Sequence, residues 1–333
     1  MSRPAVGVIG GGAWGLALAA AAARSGGPTL LLSRRRSDGA PALPPGVSAA
    51  RDLAELGTDA KLILLAVPSE VAREVARSLG PHVDGRHFVV HGVRGLVPRL
   101  DRGLGGVSAG DLETVSDIVR DETPARRVGA LGGPALASDL LAGRPTVMVC
   151  ASRYPEVTRA LGDVLRSPSL RIDATGDLLG LEWASALVGC LAIGVGYARG
   201  LGMGPGLLAA VITRAMEEGA RLAAAAGGDE RTLLGLAGYG DLLASIAQTE
   251  RPEVVLGESL AKGKELSQAL ADAGQRVEAV ELAGRVVAWA RARGVQAPVL
   301  EALASSILRG PASRAPAQDL MRVLMSGATG ERT

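Results

Sequence analysis

A glycine-rich turn near the start of the chain constrains the fold more than any other feature. Residues 5–10 read AVGVIG, an apolar strand, and an alanine-rich helix is predicted over 14–25. Gly10, Gly12 and Gly15 form the pattern GxGxxG between them. In that context the first glycine permits a tight turn, the second admits a pyrophosphate close to the backbone, and the third lets helix and strand pack closely. The pattern predicts a dinucleotide site on the helix N-terminus, and a glycine turn without a ligand is the alternative.

Short apolar strands alternate with helical segments through the first half of the chain. The predicted strands lie at residues 5–10, 29–33, 61–68, 87–93 and 145–152. This alternation is typical of a doubly wound, mainly parallel sheet with helices on both faces. We therefore predict an α/β fold with an N-terminal Rossmann domain at residues 1–176.

The second half of the chain has a different pattern. Long Ala-, Leu- and Val-rich segments punctuated by glycine predict an all-helical substrate domain over residues 177–333. The predicted helices cover residues 178–200, 205–226, 229–237, 240–248, 254–273, 278–293, 298–308 and 316–325.

Two stretches could be mistaken for membrane segments. Residues 181–196 read LEWASALVGCLAIGVG and contain one charged side chain, Glu182, but their glycines and the helices that follow favour a buried helix. Residues 5–23 carry no charge, yet their glycines would interrupt an apolar anchor. We predict no membrane span and a cytoplasmic location. Cys150 and Cys190 fit no disulfide or metal pattern and are predicted to be buried in the core.

Composition and histidine spacing exclude two other classes of function. The formal net charge is +2, the aromatic content is 2%, and the basic residues are scattered, so no nucleic-acid partner is expected. The histidines are too scattered to form a metal site. We predict His82 and His87 at the surface and treat His91, at the end of a strand, as a candidate for the site.

The residues after the second predicted strand indicate which dinucleotide is bound. An NAD site usually ends this strand with a carboxylate that holds the ribose 2′-hydroxyl. Here Arg34, Arg35 and Arg36 follow the strand, and the first carboxylate is Asp38. Arginine suits a 2′-phosphate, so NADP is the predicted cofactor and NAD the alternative. At least one of these arginines is equally well explained as a solvated surface charge.

Several segments together resemble the bacterial NAD(P)-dependent glycerol-3-phosphate dehydrogenases. The similar segments are GGGAWGLALA, AVPSEVAREV, LGGPALASDLLAGRPTVMV and VITRAMEEGARLAAAAGGDERTLLGLAGYGDLLAS. The resemblance runs nearly end to end. It implies a Rossmann domain followed by a helical domain, a homodimer, and a small-molecule substrate, a phosphorylated triose. The family reaction interconverts dihydroxyacetone phosphate and sn-glycerol 3-phosphate.

The resemblance also implies site residues. Those that fall at the family's cofactor contacts are Gly10, Gly12, Ala13, Trp14, Gly15, Arg34, Arg94, Ala137 and Glu278. Those assigned to the substrate are Gly133, Asp241 and Arg251, the last as an arginine that could reach a phosphate. Arg94 and Asp241 are the candidate catalytic residues.

Other positions depart from the family pattern. The family's catalytic lysine, in a GALKNVIAI segment, corresponds to Val188 of SALVGCLAI, and the following asparagine to Gly189. The phosphate-binding arginine and asparagine of SRNRRxG correspond to Pro252 and Glu253 of RPEVVLG. Valine can neither donate a proton nor stabilise an oxyanion.

Two functions remain open at this stage. In the first, the chain is a working NADP-dependent dehydrogenase acting on glycerol 3-phosphate or on a less anionic substrate. Arg94 would then stabilise the oxyanion, and water or His91 would supply the proton. In the second, it is a catalytically inactive or substrate-switched paralogue that binds NADP as a sensor or binds a protein partner.

Overall fold

A computed structural model describes residues 5–34, 42–100, 107–248, 250–308 and 315–325. The chain divides into two compact units. The first comprises Met1–Val97 and Glu113–Glu182, and the second comprises Pro98–Leu112 and Trp183–Thr333. The predicted domain boundary lies at residue 176, whereas the units divide between Glu182 and Trp183, inside a helix.

The strands of the described residues form one large sheet and one small ribbon. Their bounds are β1 (Ala5–Ile9), β2 (Thr29–Leu32), β3 (Val47–Ala49), β4 (Ala60–Leu65), β5 (Phe88–His91), β6 (Val97–Leu100), β7 (Val107–Glu113), β8 (Arg127–Gly132), β9 (Thr146–Ala151) and β10 (Leu170–Thr175). The large sheet has eight strands in the order β10-β9-β8-β5-β4-β1-β2-β3. Every pairing in it is parallel except β8 with β9. This confirms the predicted mainly parallel, Rossmann-like domain.

The helices fall into two groups along the chain. Those of the first unit are α1 (Ala13–Arg24), α2 (Leu53–Asp59), α3 (Ala72–Leu79), α4 (Val115–Glu122), α5 (Ala137–Ala142) and α6 (Pro155–Leu165). The next helix, α7 (Leu178–Gly200), contains the division between the units. Those of the second unit are α8 (Pro205–Ala225), α9 (Glu230–Leu234), α10 (Asp241–Ile246), α11 (Pro252–Ala261), α12 (Leu266–Ala273), α13 (Ala279–Ala292), α14 (Pro298–Leu308) and α15 (Ala315–Met325).

The predicted helical domain is confirmed, but one of its predicted helices was wrong. Residues 98–112, which carry most of the β6–β7 ribbon, group with the second unit although they precede residue 177 in the chain. The helix predicted over 254–273 is two helices, α11 and α12. Gly263 lies between them with φ +83°, in the left-handed region that ends helices and favours glycine.

Both faces of the large sheet are buried, which explains its continuous apolar strands. In β4, Leu62 and Leu64 point to one face and pack with α1 and α6. Ile63 and Leu65 point to the other face and pack with α2, α3 and α4. Because successive side chains of a strand alternate between faces, a strand covered on both sides must be apolar at every position.

Helix α7 is the stretch that resembled a membrane span. It is the one helix among the described residues long and apolar enough to cross a membrane, and 94% of its most apolar window is buried inside the protein. Glycines bring it against α11. A Cβ added to Gly196 would lie 2.2 Å from the Val254 carbonyl oxygen, and one added to Gly257 would lie 2.0 Å from the Ile193 carbonyl oxygen. The two helix backbones therefore touch directly, which agrees with the buried-helix prediction.

This backbone contact predicts that Gly257→Ala destabilises the protein. The new methyl group would overlap the backbone of α7, so the helices must separate and their packing is lost. We expect a loss of about 3 kcal/mol in the free energy of unfolding, measured by urea denaturation. The matched control is Gly206→Ala in α8, where an added Cβ meets nothing within 4 Å; it should change stability by at most about 1 kcal/mol. Equal stability of the two variants would contradict the contact.

A buried carboxylate joins two helices of the second unit. The side chain of Glu218 in α8 accepts hydrogen bonds from the backbone N–H groups of Val299 (2.8 Å) and Leu300 (3.0 Å), in the first turn of α14. Burial raises the pKa of Glu218 to about 7, and the nearby Glu301 also raises it. The two N–H donors and Arg221 oppose that rise without cancelling it. The carboxyl group therefore holds its proton more tightly in the folded chain than in the unfolded one.

The raised pKa predicts a pH-dependent contribution to stability. Because the folded-state value lies above the unfolded one, this contribution is fully present below about pH 4.5 and is lost as pH rises through about 7. Between pH 5 and pH 8, wild-type protein should lose on the order of 2 kcal/mol more unfolding free energy than Glu218→Gln. Urea denaturation of both proteins at the two pH values measures the difference. Identical pH dependence would show that Glu218 does not titrate in this range.

Candidate functional site

The candidate site of the first unit lies at the carboxyl edge of the large sheet. Strand register aligns the last residues of four neighbouring strands: Ile9 of β1 pairs with Leu32 of β2 and with Leu65 of β4. Leu65 in turn pairs with His91 of β5. The turns after these strands therefore emerge at one edge, where ligands bind in open parallel sheets.

Two of the three motif glycines are required by close backbone contacts. Gly10 has φ +121°, and a Cβ there would lie 2.1 Å from the carbonyl oxygen of Ala66, just after β4. A Cβ on Gly15 would lie 1.8 Å from the carbonyl oxygen of Gly10. Any side chain at these positions would separate α1 from the sheet. The first and third glycines of GxGxxG therefore perform the packing roles predicted for them.

The middle glycine borders open space. A Cβ on Gly12 would meet nothing within 4 Å, and Gly12 is the N-cap of α1 without a side-chain cap. The first turn of α1 contains no acidic residue, and Ala13 is exposed. Free N–H groups at a helix N-terminus, with room in front of them, suit a phosphate. The turn therefore fits the pyrophosphate of a dinucleotide.

Trp14 lies beside this turn, against the residue that follows β5. A Cβ on Gly92 would come within 2.4 Å of the Trp14 indole Nε1, so Gly92 leaves room for the ring. The indole N–H is buried and has no acceptor among the described residues. Buried donors are normally paired, and this one lies next to the glycine turn, where a ligand atom could accept its hydrogen bond.

Arg34 follows β2 by two residues and is exposed. Its guanidinium lies 3.8 Å from the Glu74 carboxylate, and both side chains are more than two-thirds exposed, so the ion pair is weak and leaves the arginine accessible. Arg35, Arg36 and Asp38 lie outside the described residues. The arginine predicted to select a 2′-phosphate therefore stands beyond the carboxyl end of the second strand, as expected.

Three further candidates follow β5 and β8 at the same edge. Arg94 is half-buried and lies three residues beyond the end of β5. Gly133 follows β8 with φ +96°, a conformation that favours glycine, and Ala137 begins α5 a few residues later. Because β8 is parallel to β5, the GGP loop emerges beside the turn that carries Arg94.

His91 has a structural partner that the sequence did not reveal. It is 1% exposed, its Nε2 lies 2.9 Å from Glu182 Oε1, and the same oxygen accepts the Ser116 backbone N–H at 2.8 Å. The isolated charge of α7 thus ties that helix to the end of β5 and the start of α4. This contact does not favour His91 as a proton donor to a substrate.

Of the other two histidines, one is exposed and one is buried. His82 is exposed, as predicted. The surface prediction for His87 is wrong: the ring is buried, its Nε2 lies 2.9 Å from the Gly57 carbonyl oxygen, and its Nδ1 accepts the Asp84 N–H. Cys150 and Cys190 are buried, as predicted.

The remaining candidates belong to the second unit. Asp241 is fully buried at the start of α10, after a π-helical turn at Leu236–Gly240, and the Ser245 hydroxyl donates to its Oδ1 at 3.4 Å. Glu278 is half-buried at the N-terminus of α13. The structure therefore groups Asp241, Glu278 and Arg251 in one unit and the other candidates in the first.

Val188 lies in the middle of α7 and is 1% exposed. A Cβ on the next residue, Gly189, would lie 3.1 Å from Ala279 Cβ and 4.0 Å from Glu253 Oε1. Burial raises the pKa of the adjacent Cys190 thiol to about 12, and the charge of Glu253 contributes to that rise. The side of α7 on which Gly189 lies therefore faces a carboxylate.

Arg251, predicted to reach a phosphate, is engaged by this same carboxylate. Its Nε donates to Glu253 Oε2 at 2.9 Å, and the two side chains are only 12% and 19% exposed. An arginine paired in this way has less positive charge to offer an anion. Glu253 was noted in the sequence as a departure from the family pattern, but its pairing with Arg251 could not be read from the sequence.

Comparisons with known proteins match both halves of the chain to one family. Residues 5–158 match a family described as NAD-dependent glycerol-3-phosphate dehydrogenase N-terminus, and residues 177–315 match its C-terminus. The glycerol-3-phosphate dehydrogenase (NAD(P)+) of Caulobacter vibrioides is 34% identical over 324 residues, covering 93% of this chain and 94% of the relative. That of Nitrosococcus oceani is 32% identical, covering 95% and 93%.

A solved structure extends the similarity to the fold. The crystal structure of glycerol-3-phosphate dehydrogenase from Coxiella burnetii superimposes with a TM-score of 0.84 at 26% identity, covering 97% of this chain and 99% of that one. A ketopantoate reductase from Ralstonia eutropha shares the fold at a TM-score of 0.56 and 18% identity. The two family matches and the full-length relatives lead to one conclusion: the chain belongs to the NAD(P)-dependent glycerol-3-phosphate dehydrogenase family.

Proposed function

We propose that this protein binds NADP(H) at the glycine turn and is an oxidoreductase of the family type that reduces dihydroxyacetone phosphate poorly. The observation that carries the proposal is the buried Val188, at the position the resemblance assigns to the catalytic lysine. NAD is the alternative cofactor. The homodimer that the family resemblance implies and the cytoplasmic location predicted from the sequence are part of the same proposal.

Residues at the carboxyl edge of the large sheet support the proposed binding of NADP(H). Gly12 borders open space at a helix N-terminus, Trp14 directs an unpaired indole N–H to the same region, and Arg34 is accessible beyond β2. A 2′-phosphate carries charge that a guanidinium can bind with two hydrogen bonds. When bound, the dinucleotide would supply or accept the hydride.

Proton transfer limits the proposed rate of substrate reduction. Hydride addition to a ketone places negative charge on the carbonyl oxygen, which needs a positive group to stabilise it and a proton to complete the alcohol. Val188 can provide neither. Arg94 keeps a positive charge but does not deprotonate usefully, so it could stabilise the oxygen while water supplies the proton. The expected consequence is slow reduction of dihydroxyacetone phosphate.

A catalytically inactive NADP sensor, or a module that binds a protein partner, is the second candidate. The observation that favours it is the same replacement at position 188, together with the pairing of Arg251 to Glu253. It predicts NADPH binding without turnover of any alcohol or ketone.

Arg34 should decide between the two dinucleotides. We expect Arg34→Ala to weaken NADPH binding about tenfold, because the 2′-phosphate loses a charge-assisted contact, and to leave NADH binding nearly unchanged. Titration followed by tryptophan fluorescence measures both affinities. The control is Arg51→Ala, an exposed arginine of the same unit that pairs with Glu55. Equal losses for both cofactors would refute a 2′-phosphate role, and no binding of either would refute the cofactor proposal.

Restoring an amine at position 188 should restore family chemistry. We expect Val188→Lys to increase NADPH oxidation with dihydroxyacetone phosphate at least tenfold, since a general acid typically contributes about 10²–10⁴-fold. Val188→Met, of similar length and without an amine, controls for packing, and NADPH binding by both variants reports folding. A wild-type rate that already equals that of a folded Val188→Lys protein would contradict the role of position 188.

A further inference from the structure

We propose that His91 and Glu182 are positioning residues that hold Arg94 in place for the reaction. This inference rests on the proposed function, which makes Arg94 the positive group at the carbonyl oxygen. Glu182 fixes the ring of His91, and the ring holds the backbone turn between β5 and Arg94. Both residues act through the backbone of that turn and not by transferring a proton.

Glu182 is fixed at the N-terminus of α4. It is 3% exposed, and its Oε1 accepts the backbone N–H of Ser116 at 2.8 Å. Ser116 lies in the first turn of α4, where backbone N–H groups have no partner within the helix. The helix dipole also favours a carboxylate at this end. The position of Oε1 is therefore set by the backbone of α4.

The bond to Glu182 determines which ring nitrogen of His91 carries the hydrogen. Nε2 lies 2.9 Å from Glu182 Oε1 and 3.3 Å from the Ser116 hydroxyl, so the carboxylate is the closer partner. A carboxylate only accepts, and Nε2 must therefore donate to it. A neutral imidazole has one donor and one acceptor nitrogen. On this ground we assign the hydrogen to Nε2, which leaves Nδ1 as the acceptor.

The acceptor nitrogen faces the turn that carries Arg94. His91 Nδ1 lies 3.4 Å from the Val93 backbone nitrogen and accepts its hydrogen bond. The Gly92 N–H still bonds the neighbouring strand end, at 2.8 Å from the Leu65 carbonyl oxygen. Val93 is thus the first residue beyond the sheet, and its side chain is 5% exposed and packs in the core. Arg94 follows it directly.

The length of the Val93 bond limits what it can contribute. At 3.4 Å it is longer than the usual range of about 2.7–3.2 Å, so it adds little to stability. Its effect is on direction. With the Val93 side chain held in the core and its N–H pointing at His91, the chain leaves towards Arg94 along one path. A misplacement of about 1 Å can slow a reaction by about 10²-fold, so the ring should affect rate more than stability.

Two substitutions at His91 separate its two bonds. Asparagine places its Oδ1 near the position of Nδ1, so His91→Asn keeps an acceptor for Val93 but is too short to reach Glu182. Glutamine places its amide nitrogen near the position of Nε2, so His91→Gln keeps the donor to Glu182 and lacks the acceptor for Val93. A purely structural role predicts that rate and stability fall together, and furthest in His91→Asn, because a buried acceptor loses its donor.

The rate is measured as single-turnover oxidation of bound NADPH by dihydroxyacetone phosphate, at urea-free conditions in which every variant is folded. We expect His91→Gln to slow oxidation about tenfold or more, and His91→Asn to stay within about threefold of wild type. His91→Asn should nevertheless have the lower urea midpoint. Hydrogen exchange of the Val93 amide should be about fivefold faster in His91→Gln, because that variant lacks the acceptor. The ¹⁵N resonances of the wild-type His91 ring should show hydrogen on Nε2 alone.

His87 provides the matched control. It immediately precedes β5, is buried, and is bonded at both ring nitrogens, to the Gly57 carbonyl oxygen and the Asp84 N–H, each at 2.9 Å. His87→Asn and His87→Gln should lower stability and change neither the oxidation rate nor the exchange of the Val93 amide.

The outcomes distinguish this inference from the proposed function. A hydrogen on His91 Nδ1, equal exchange of the Val93 amide in both His91 variants, or oxidation by His91→Gln no slower than by His91→Asn would each overturn the inference. In these cases wild-type protein would still bind NADPH and oxidise it slowly. Failure of wild-type protein to bind or oxidise NADPH would instead overturn the proposed function, and the exchange rates and ring resonances would still decide whether His91 holds the turn.

Discussion

Direct backbone contact between α7 and α11 determines most of what surrounds the candidate substrate position. Gly196 approaches the carbonyl of Val254, and Gly257 approaches that of Ile193, at distances that admit no side chain. Helices this close have one available register, because their surfaces interlock without flexible side chains between them. That register places the first turn of α11 beside Gly189. The position of the Arg251–Glu253 pair near Gly189 is a consequence of it.

The first unit has a comparable constraint at its glycine turn. The carbonyl of Gly10 occupies the space that a side chain on Gly15 would need, and the carbonyl of Ala66 occupies that of Gly10. Strand, turn and helix therefore pack in one arrangement, and the N-terminus of α1 faces the open space at Gly12. The same geometry stabilises the fold and suits a dinucleotide. The shape of the candidate dinucleotide site at the carboxyl edge of the large sheet therefore follows from the packing of the domain.

Sequence patterns predicted the elements whose signal is local. Composition and the positions of glycines were sufficient to predict the glycine turn, the apolar strands β1, β4 and β5, and the ends of α7. Three strands of the large sheet were not predicted: β3 has three residues, β8 contains glycines that weaken a strand pattern, and β10 alternates with Arg171 and Asp173 at the sheet edge. The helix predicted over 254–273 concealed the turn at Gly263.

Contacts between residues far apart in the chain could not be predicted from the sequence. The interaction of His91 with Glu182 joins residues separated by 91 positions, and it explains why a charge is tolerated in α7. Glu253 could be recognised as unusual, but its partner, burial and approach to Gly189 depend on helix packing. The resemblance implies a lysine at position 188, and the structure adds that the valine found there is buried.

Pre-steady-state reduction by the unmodified protein tests this account most directly. Protein in excess over NADPH is mixed with saturating dihydroxyacetone phosphate, and nicotinamide fluorescence and absorbance are followed together. We expect the fluorescence to report bound NADPH at once. The absorbance of that NADPH should then decay far more slowly than typical enzyme turnover, which is roughly 1–10³ s⁻¹. Complete oxidation of the bound NADPH within the first second would contradict this account, because the protein would then perform the family reaction efficiently without a lysine at position 188.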